Sequence, residues 1–346
     1  MQITLTNPLD MHIHFRDHAM LEVVAPYTTK SFVAGVVMPN LNPPITSVAL
    51  AKSYMRRIQS IDDCFFPICP LYFHEDLSFA ELQQCVDSGL RILKLYPKGA
   101  TTGSEKGVSQ ILSKKTLEIC SIAQDLGMIL SIHGESNGFM LDREYEFGEI
   151  FASLAHAFPH LKIIIEHMSD HRSIPLLREF KNIYATLTLH HITLDLDSVV
   201  GGKLEPHHFC KPTLKTPTDK QKLLELALSA DPKVSFGSDS APHTLESKRN
   251  GAAGIFSAPC LLEQLTELFE THNALSNLQA FVSDNAMRNY CLSQWLPPLR
   301  QKQITLTKSP QTIPESIDSK DSKEDVIIPF HAGKTIKWSI KQICEV

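Results

Sequence analysis

Residues 128–133 read MILSIH and residues 161–167 read LKIIIEH, two short β-branched runs that each finish on a histidine. Both are apolar almost throughout, the pattern of parallel strands buried on both faces. Between them lies a longer stretch that can hold a helix. Working outward, the same alternation recurs along the chain. Strands are expected near 8–14 (PLDMHIH), 32–39 (FVAGVVMP), 64–73 (CFFPICPLYF), 91–96 (RILKLY), 183–190 (IYATLTLH) and 233–239 (KVSFGSD), which with the first two make eight. Helices are expected at 46–59, where Thr46 can cap, and at 78–89, 109–126, 171–181 and 218–229. Eight strands alternating with helices place the chain in the α/β class and favour a (β/α)8 TIM barrel over a doubly wound sheet.

Beyond the eighth strand the pattern loosens. Residues 260–290 look helical, 307–324 (TKSPQTIPESIDSKDSKE) read as a polar surface loop, and the terminal DVIIPFHAGKTIKWSIKQ regains strand character and should pack back on the barrel. We expect residues 1–346 to form a single domain.

Composition narrows the function. A 43 % apolar and 21 % charged chain is ordinary globular protein. Its net charge of -5 argues against a nucleic-acid partner. No apolar run approaches the ~18 residues of a membrane span, and MQITLTNPLDMHIH lacks the build of a signal peptide, so a cytoplasmic protein is expected. The eight cysteines, at 64, 69, 85, 120, 210, 260, 291 and 344, contain no CxxC pair. They suit neither a zinc ribbon nor a disulfide framework.

In such a barrel the chemistry sits at the C-terminal ends of the strands. His12 and His14 end the first strand, and a spacing of two puts both imidazoles on one face. His133 ends the fifth strand, His167 the sixth and Asp239 the eighth. Neutral imidazoles with a carboxylate are the donors that Zn2+ or a similar ion takes. Each residue alone could be a core histidine or a capping aspartate; together, at strand ends, they point to a metal. Lys94 ends the fourth strand among apolar neighbours. It is either a snorkelling side chain or a desolvated amine of lowered pKa, able to react with carbon dioxide.

HIHFRD at 12–17, MPN at 38–40, KLYP at 94–97, HGE at 133–135, EH at 166–167 and GSDSAPH at 237–243 together resemble the amidohydrolase superfamily. In detail the chain is similar to the bacterial and yeast-type dihydroorotases over nearly its whole length. That resemblance implies two Zn2+ per subunit. His12 and His14 would hold one with Asp239, His133 and His167 the other, and N6-carboxylated Lys94 and a hydroxide would bridge them. Asp239 would move the proton between the attacking oxygen and the ring nitrogen. Arg16, Asn40 and His243 would grip the carboxylate of dihydroorotate or carbamoyl aspartate. Thr101 and Thr102, within a lid at 97–107, would touch substrate, as would His133 and the backbone of Lys211, Ala253 and Gly254. A homodimer is implied as well.

The sequence departs from that pattern in two places. Lys211 stands where these enzymes usually carry an apolar residue, and Leu189-His190-His191 replaces a more familiar Pro-Gln-His, leaving His190 as an extra imidazole. The rival readings are another cyclic amidase, such as a dihydropyrimidinase or hydantoinase, which would not need the Arg16–Asn40–His243 group, and a metal-free, non-catalytic homologue.

Overall fold

The computed structural model describes residues 1–318 and 326–345. The chain opens with β1 (Gln2–Thr6), which the sequence reading passed over, and then enters the barrel. The barrel strands are β2 (Leu9–Ile13), β3 (Ala34–Val37), β4 (Phe66–Ile68) with β5 (Leu71–Tyr72), β6 (Ile92–Leu95), β7 (Ile129–Ile132), β8 (Lys162–Ile165), β9 (Ile183–Leu187) and β10 (Val234–Phe236). Each stretch read as a strand contains one, and 64–73 contains two. There Cys69-Pro70 separates β4 from β5. β4 pairs with β3 and β5 with β6, so the two pieces act as one barrel strand.

Every neighbouring pair is parallel, from β2 through β10. The ring closes between its ends through the backbone: Asp239 N donates to His12 O at 2.8 Å and His14 N to Ser240 O at 3.0 Å. Order and parallel pairing are those of a TIM barrel.

The outer helices include α1 (His18–Thr29), α2 (Val48–Gln59), α3 (Phe79–Asp87), α4 (Lys114–Asp125), α5 (Arg143–Ala157), α6 (Ile174–Glu179), α7 (Leu189–Thr193), α8 (Asp197–Val200) and α9 (Pro217–Leu228). α2 is capped by Ser47 rather than Thr46, since the Ser47 hydroxyl accepts from Leu50 N. α3 begins on a full capping box, Ser78 with Glu81. α5 fills the stretch between 128–133 and 161–167 that can hold a helix, whereas α1 was given no range of its own; Pro26 lies within α1 and Gly148 within α5, both unfavourable helix residues. The strand expected over 183–190 stops at Leu187, because Thr188 caps α7 by accepting from His191 N.

Ile92, Ile129 and Ile164 lie two residues before Lys94, Ser131 and Glu166, so they share a strand face with them. With Val36, Ile68 and Tyr290 they belong to one buried apolar cluster, the layer beneath the site.

The end of the chain packs back as expected. β11 (Lys302–Thr307) pairs antiparallel with β1 on one side and with the strand Ser339–Glu345 on the other. The stretch 307–324 is less irregular than its composition suggests. Gln311–Thr312 pairs with Thr335–Ile336, and Ile317–Asp318 with Val326–Ile327; residues 319–324 of it lie outside the described residues. Among the described residues, no helix is long and apolar enough to cross a membrane.

Candidate active site

The strand ends converge on a cavity of about 340 Å³ lined by His12, His14, Arg16, Asn40, Tyr96, Thr101, Thr102, His133, His167, Lys211, Asp239, Ala241, Ala253 and Gly254. Each residue that the sequence singled out lines this cavity except Lys94 and His243. Lys94 is fully buried and His243 lines the wider cleft of about 1390 Å³ outside it, together with Arg16, Asn40 and Thr102.

Two donor groups stand out. His14 Nε2 lies 3.1 Å and His12 Nε2 3.4 Å from Asp239 Oδ1. His133 Nδ1 and His167 Nε2 face each other at 3.1 Å. Two nitrogen ligands about 2.05 Å from one tetrahedral cation stand about 3.3 Å apart, so both spacings fit ions held between these atoms. His12, His14 and Asp239 form one of the groups able to hold a metal ion. Burial, the first cause in each case, lowers the pKa of His12 to about 4 and that of His14 and His167 well below the usual value. Such rings are neutral, the form that ligates.

Their orientation is set by carboxylates that the sequence reading did not assign. His12 Nδ1 lies 2.7 Å from Glu166 Oε2. An ionised carboxylate only accepts, so the proton stays on Nδ1 and the Nε2 lone pair points into the cavity. Glu166 is fixed in turn by the hydroxyls of Ser131 (2.5 Å) and Thr186 (2.7 Å). Burial alone would raise its pKa, but His12, Lys94 and these hydrogen bonds outweigh that and bring it to about 2. Glu135 does for His133 what Glu166 does for His12: Oε2 lies 2.7 Å from Nε2, leaving Nδ1 for the cavity. A glutamate inside the buried run KIIIEH was the available signal, since such a charge is not left unpaired.

Lys94 Nζ is fully buried and has no hydrogen-bond partner. Burial lowers its pKa to about 8, against the opposing pull of Glu166 and Asp239. An unpaired buried amine at this level is partly neutral near pH 8, as carbamate formation requires.

Three cavity residues hold left-handed backbone without being glycine: Arg16 at φ 60°, Asp239 at φ 44° and His167 at φ 39°. Strain of this kind gathers at functional sites. Arg16 Nε donates to Pro242 O at 3.2 Å, its Nη2 lies 3.0 Å from His243 Nε2, and Tyr54 Oη donates to Arg16 O at 2.8 Å. Burial and then the Arg16 charge lower His243 to about 3, so this ring too is neutral. Asn40 Nδ2 donates to Thr102 O at 2.9 Å, while Asn40 Oδ1 is buried without a partner. Tyr72 Oη adds a bond to Gly103 O at 3.3 Å. The segment 97–107 therefore lies across the cavity mouth, tied down at Thr102 and Gly103.

Ala253 and Gly254 sit where backbone meets the cavity. Ala253 O lies 2.9 Å from His243 Nε2. A Cβ on Gly254 would stand 2.7 Å from Ala241 O, which explains the glycine. Lys248 Nζ donates to Gly254 O at 2.6 Å and to Phe209 O at 2.9 Å, joining this strip to the segment before Lys211.

With that geometry in view, the chain belongs to the amidohydrolase family, whose model matches residues 9–292. Within it the chain falls among the dihydroorotases. It is 53 % identical over 343 residues to the dihydroorotase of Helicobacter hepaticus, covering 98 % of each chain. To that of Helicobacter pylori (strain P12) it is 48 % identical, covering 99 % of this chain and 100 % of the relative. Its fold is similar to the dihydroorotase of Campylobacter jejuni, with TM-score 0.92, 40 % identity and coverage of 99 % and 98 %. The dihydroorotase of Saccharomyces cerevisiae in complex with 5-fluoroorotic acid follows at TM-score 0.90 and 32 % identity, with 98 % of each chain covered. The L-hydantoinase of Arthrobacter aurescens shares the fold at TM-score 0.79 but only 13 % identity, with 99 % and 84 % covered. The chain is thus a hydrolase acting on a cyclic amide, with dihydroorotase rather than hydantoinase activity.

Proposed function

We propose that the chain interconverts N-carbamoyl-L-aspartate and L-dihydroorotate in the de novo synthesis of pyrimidines, with the cavity described above as its active site. The observation that carries this reading is the pairing of two donor groups, His12–His14–Asp239 and His133–His167, with a buried Lys94 whose Nζ has no hydrogen-bond partner. These residues would hold two Zn2+ ions, with Lys94, once carboxylated, as a further ligand. Bound there, the ions would lower the pKa of water toward about 7 and polarise the scissile carbonyl.

The remaining work falls to side chains. Asp239 takes the proton from the attacking water and returns it to the ring nitrogen as the amide opens; in ring closure the order reverses. Arg16 presents two parallel N–H groups to the substrate carboxylate. Asn40, with its free Oδ1, and neutral His243 complete the pocket. His133, the backbone of Lys211, Ala253 and Gly254, and Thr101 and Thr102 of the lid hold the ring and exclude water. The Lys211 side chain adds a positive charge at a site whose substrate is an anion.

The whole chain, residues 1–346, acts as one amidohydrolase unit. Eight free cysteines support a reducing, cytoplasmic setting. The homodimer is proposed on resemblance alone, with a small-molecule substrate and no nucleic acid or membrane as partner.

The decisive experiment is hydrolysis of L-dihydroorotate by the zinc-loaded protein, with dihydrouracil and hydantoin alongside. Turnover of dihydroorotate alone is expected. Turnover of the uncharged rings instead would overturn the roles of Arg16, Asn40 and His243.

A further inference from the structure

Behind the cavity, α7 and the loop leading to Pro212 bring His190, His191 and Cys210 together. One potential ligand atom from each lies within 4.8 Å of the others, and the residues are 0 %, 3 % and 1 % exposed. Cys210 Sγ is 3.9 Å from His191 Nε2, and the two imidazole centroids are 4.6 Å apart. A cation about 2.3 Å from sulfur and about 2.0 Å from nitrogen leaves the two ligands about 3.7 Å apart in a trigonal arrangement. The spacing is already near that of a bound ion.

His190 supplies the independent observation. Its ring is completely buried, yet neither nitrogen has a hydrogen-bond partner. Buried polar groups are ordinarily satisfied, and this imidazole adjoins two other donors. It is also the histidine for which the family resemblance gave no role.

We propose that His190, His191 and Cys210 form a further cation site, built for one thiophilic d10 ion of the Zn2+ or Cu+ type. Two imidazoles and a thiolate are donors that such ions take in preference to Mg2+ or Ca2+. Binding breaks the Cys210 S–H bond, sends that proton to solvent and forms the sulfur–metal bond. At His191 only the tautomer changes. Nε2 lies 3.0 Å from Pro212 O and Nδ1 2.9 Å from Thr188 Oγ1. The ring proton leaves Nε2 for Nδ1, where Thr188 Oγ1 accepts it, and Nε2 is freed for the ion. Burial, and next the Asp239 carboxylate, push the Cys210 thiol up.

The test does not depend on hydrolysis. The full chain, stripped with a chelator, is titrated with Co2+ and its near-ultraviolet absorption is followed. None of the cavity ligands carries sulfur, so a thiolate-to-cobalt charge-transfer band reports on a cysteine site alone. The band should reach the amplitude of one thiolate-bound Co2+ per chain, in addition to the two ions the cavity takes up, vanish in Cys210→Ser, and require at least ten-fold more Co2+ in His190→Asn. Absence of the band, its survival in Cys210→Ser, or unchanged affinity in His190→Asn would each overturn the proposal. Should Cys210→Ser not fold, the wild-type chain decides by alkylation. Zn2+ should slow modification of Cys210 at least ten-fold in peptide mass spectra, and equal rates with and without Zn2+ reject the site.

Discussion

Glu166 Oε2 stands 2.7 Å from His12 Nδ1, and this contact fixes which nitrogen of His12 faces the cavity. The carboxylate is itself held by Ser131 and Thr186. Outer contacts of this kind are commonly worth about 10- to 100-fold in metal affinity. Glu166→Gln should therefore weaken zinc retention by about that factor while the barrel stays folded. Competition with a chromogenic chelator measures it, and unchanged affinity would show that the contact does not orient a ligand.

Arg16 addresses the outer rim of the cavity rather than the donor groups. Arg16→Lys keeps the charge but loses the planar fork. The expected loss in kcat/KM for L-dihydroorotate is about 10- to 100-fold, the worth of a hydrogen bond or two to a charged group. Zinc content measured by atomic absorption should not change.

The proposed lid depends on Gly103, which sits at φ +71° with Asn40 O only 2.9 Å from where a Cβ would be. Gly103→Ala should disfavour the closed segment by about 1–3 kcal/mol. We expect kcat/KM to drop about ten-fold or more and the 97–107 segment to become more sensitive to protease. Replacing Thr101 and Thr102 together by alanine should lower kcat with little effect on zinc content. Normal turnover in the double variant would remove the lid from the reaction.

Lys248 offers a test through pH. Burial lowers its pKa from 10.5 to about 8. Between these values the unfolded chain binds the proton more fully than the folded one, so the contribution of Lys248 to stability rises with pH across that window. The rise is at most about 3 kcal/mol, and at or below pH 7 no further change is due to this group. Urea unfolding of the wild type and Lys248→Met should thus diverge in favour of the wild type above pH 8. Parallel curves would show that the ammonium is not desolvated.

The parts of the site that were legible in the sequence are those written in strand periodicity. His12 and His14 share a face because they are two apart, and Lys94 is conspicuous because it interrupts apolar residues. What could not be read are the contacts that only the closed ring creates. Glu135 is two residues from His133, yet nothing in that spacing says its carboxylate turns back onto the ring. Ser131 and Thr186 meet Glu166 across three different strands. Likewise β1 was missed because QITLT gains its partners only from β11, hundreds of residues away. The bounds of α1 and α5 could not be read because their local propensity is poor and tertiary packing overrides it.

The backbone bonds from Asp239 N to His12 O and from His14 N to Ser240 O lie where the first and last barrel strands meet. The three side chains of that donor group straddle the same join. His12 and His14 emerge early in synthesis, but their carboxylate partner arrives only with β10. An ion seated among them would act as a fastener as well as a reagent, present only once the ring is shut and resisting its reopening.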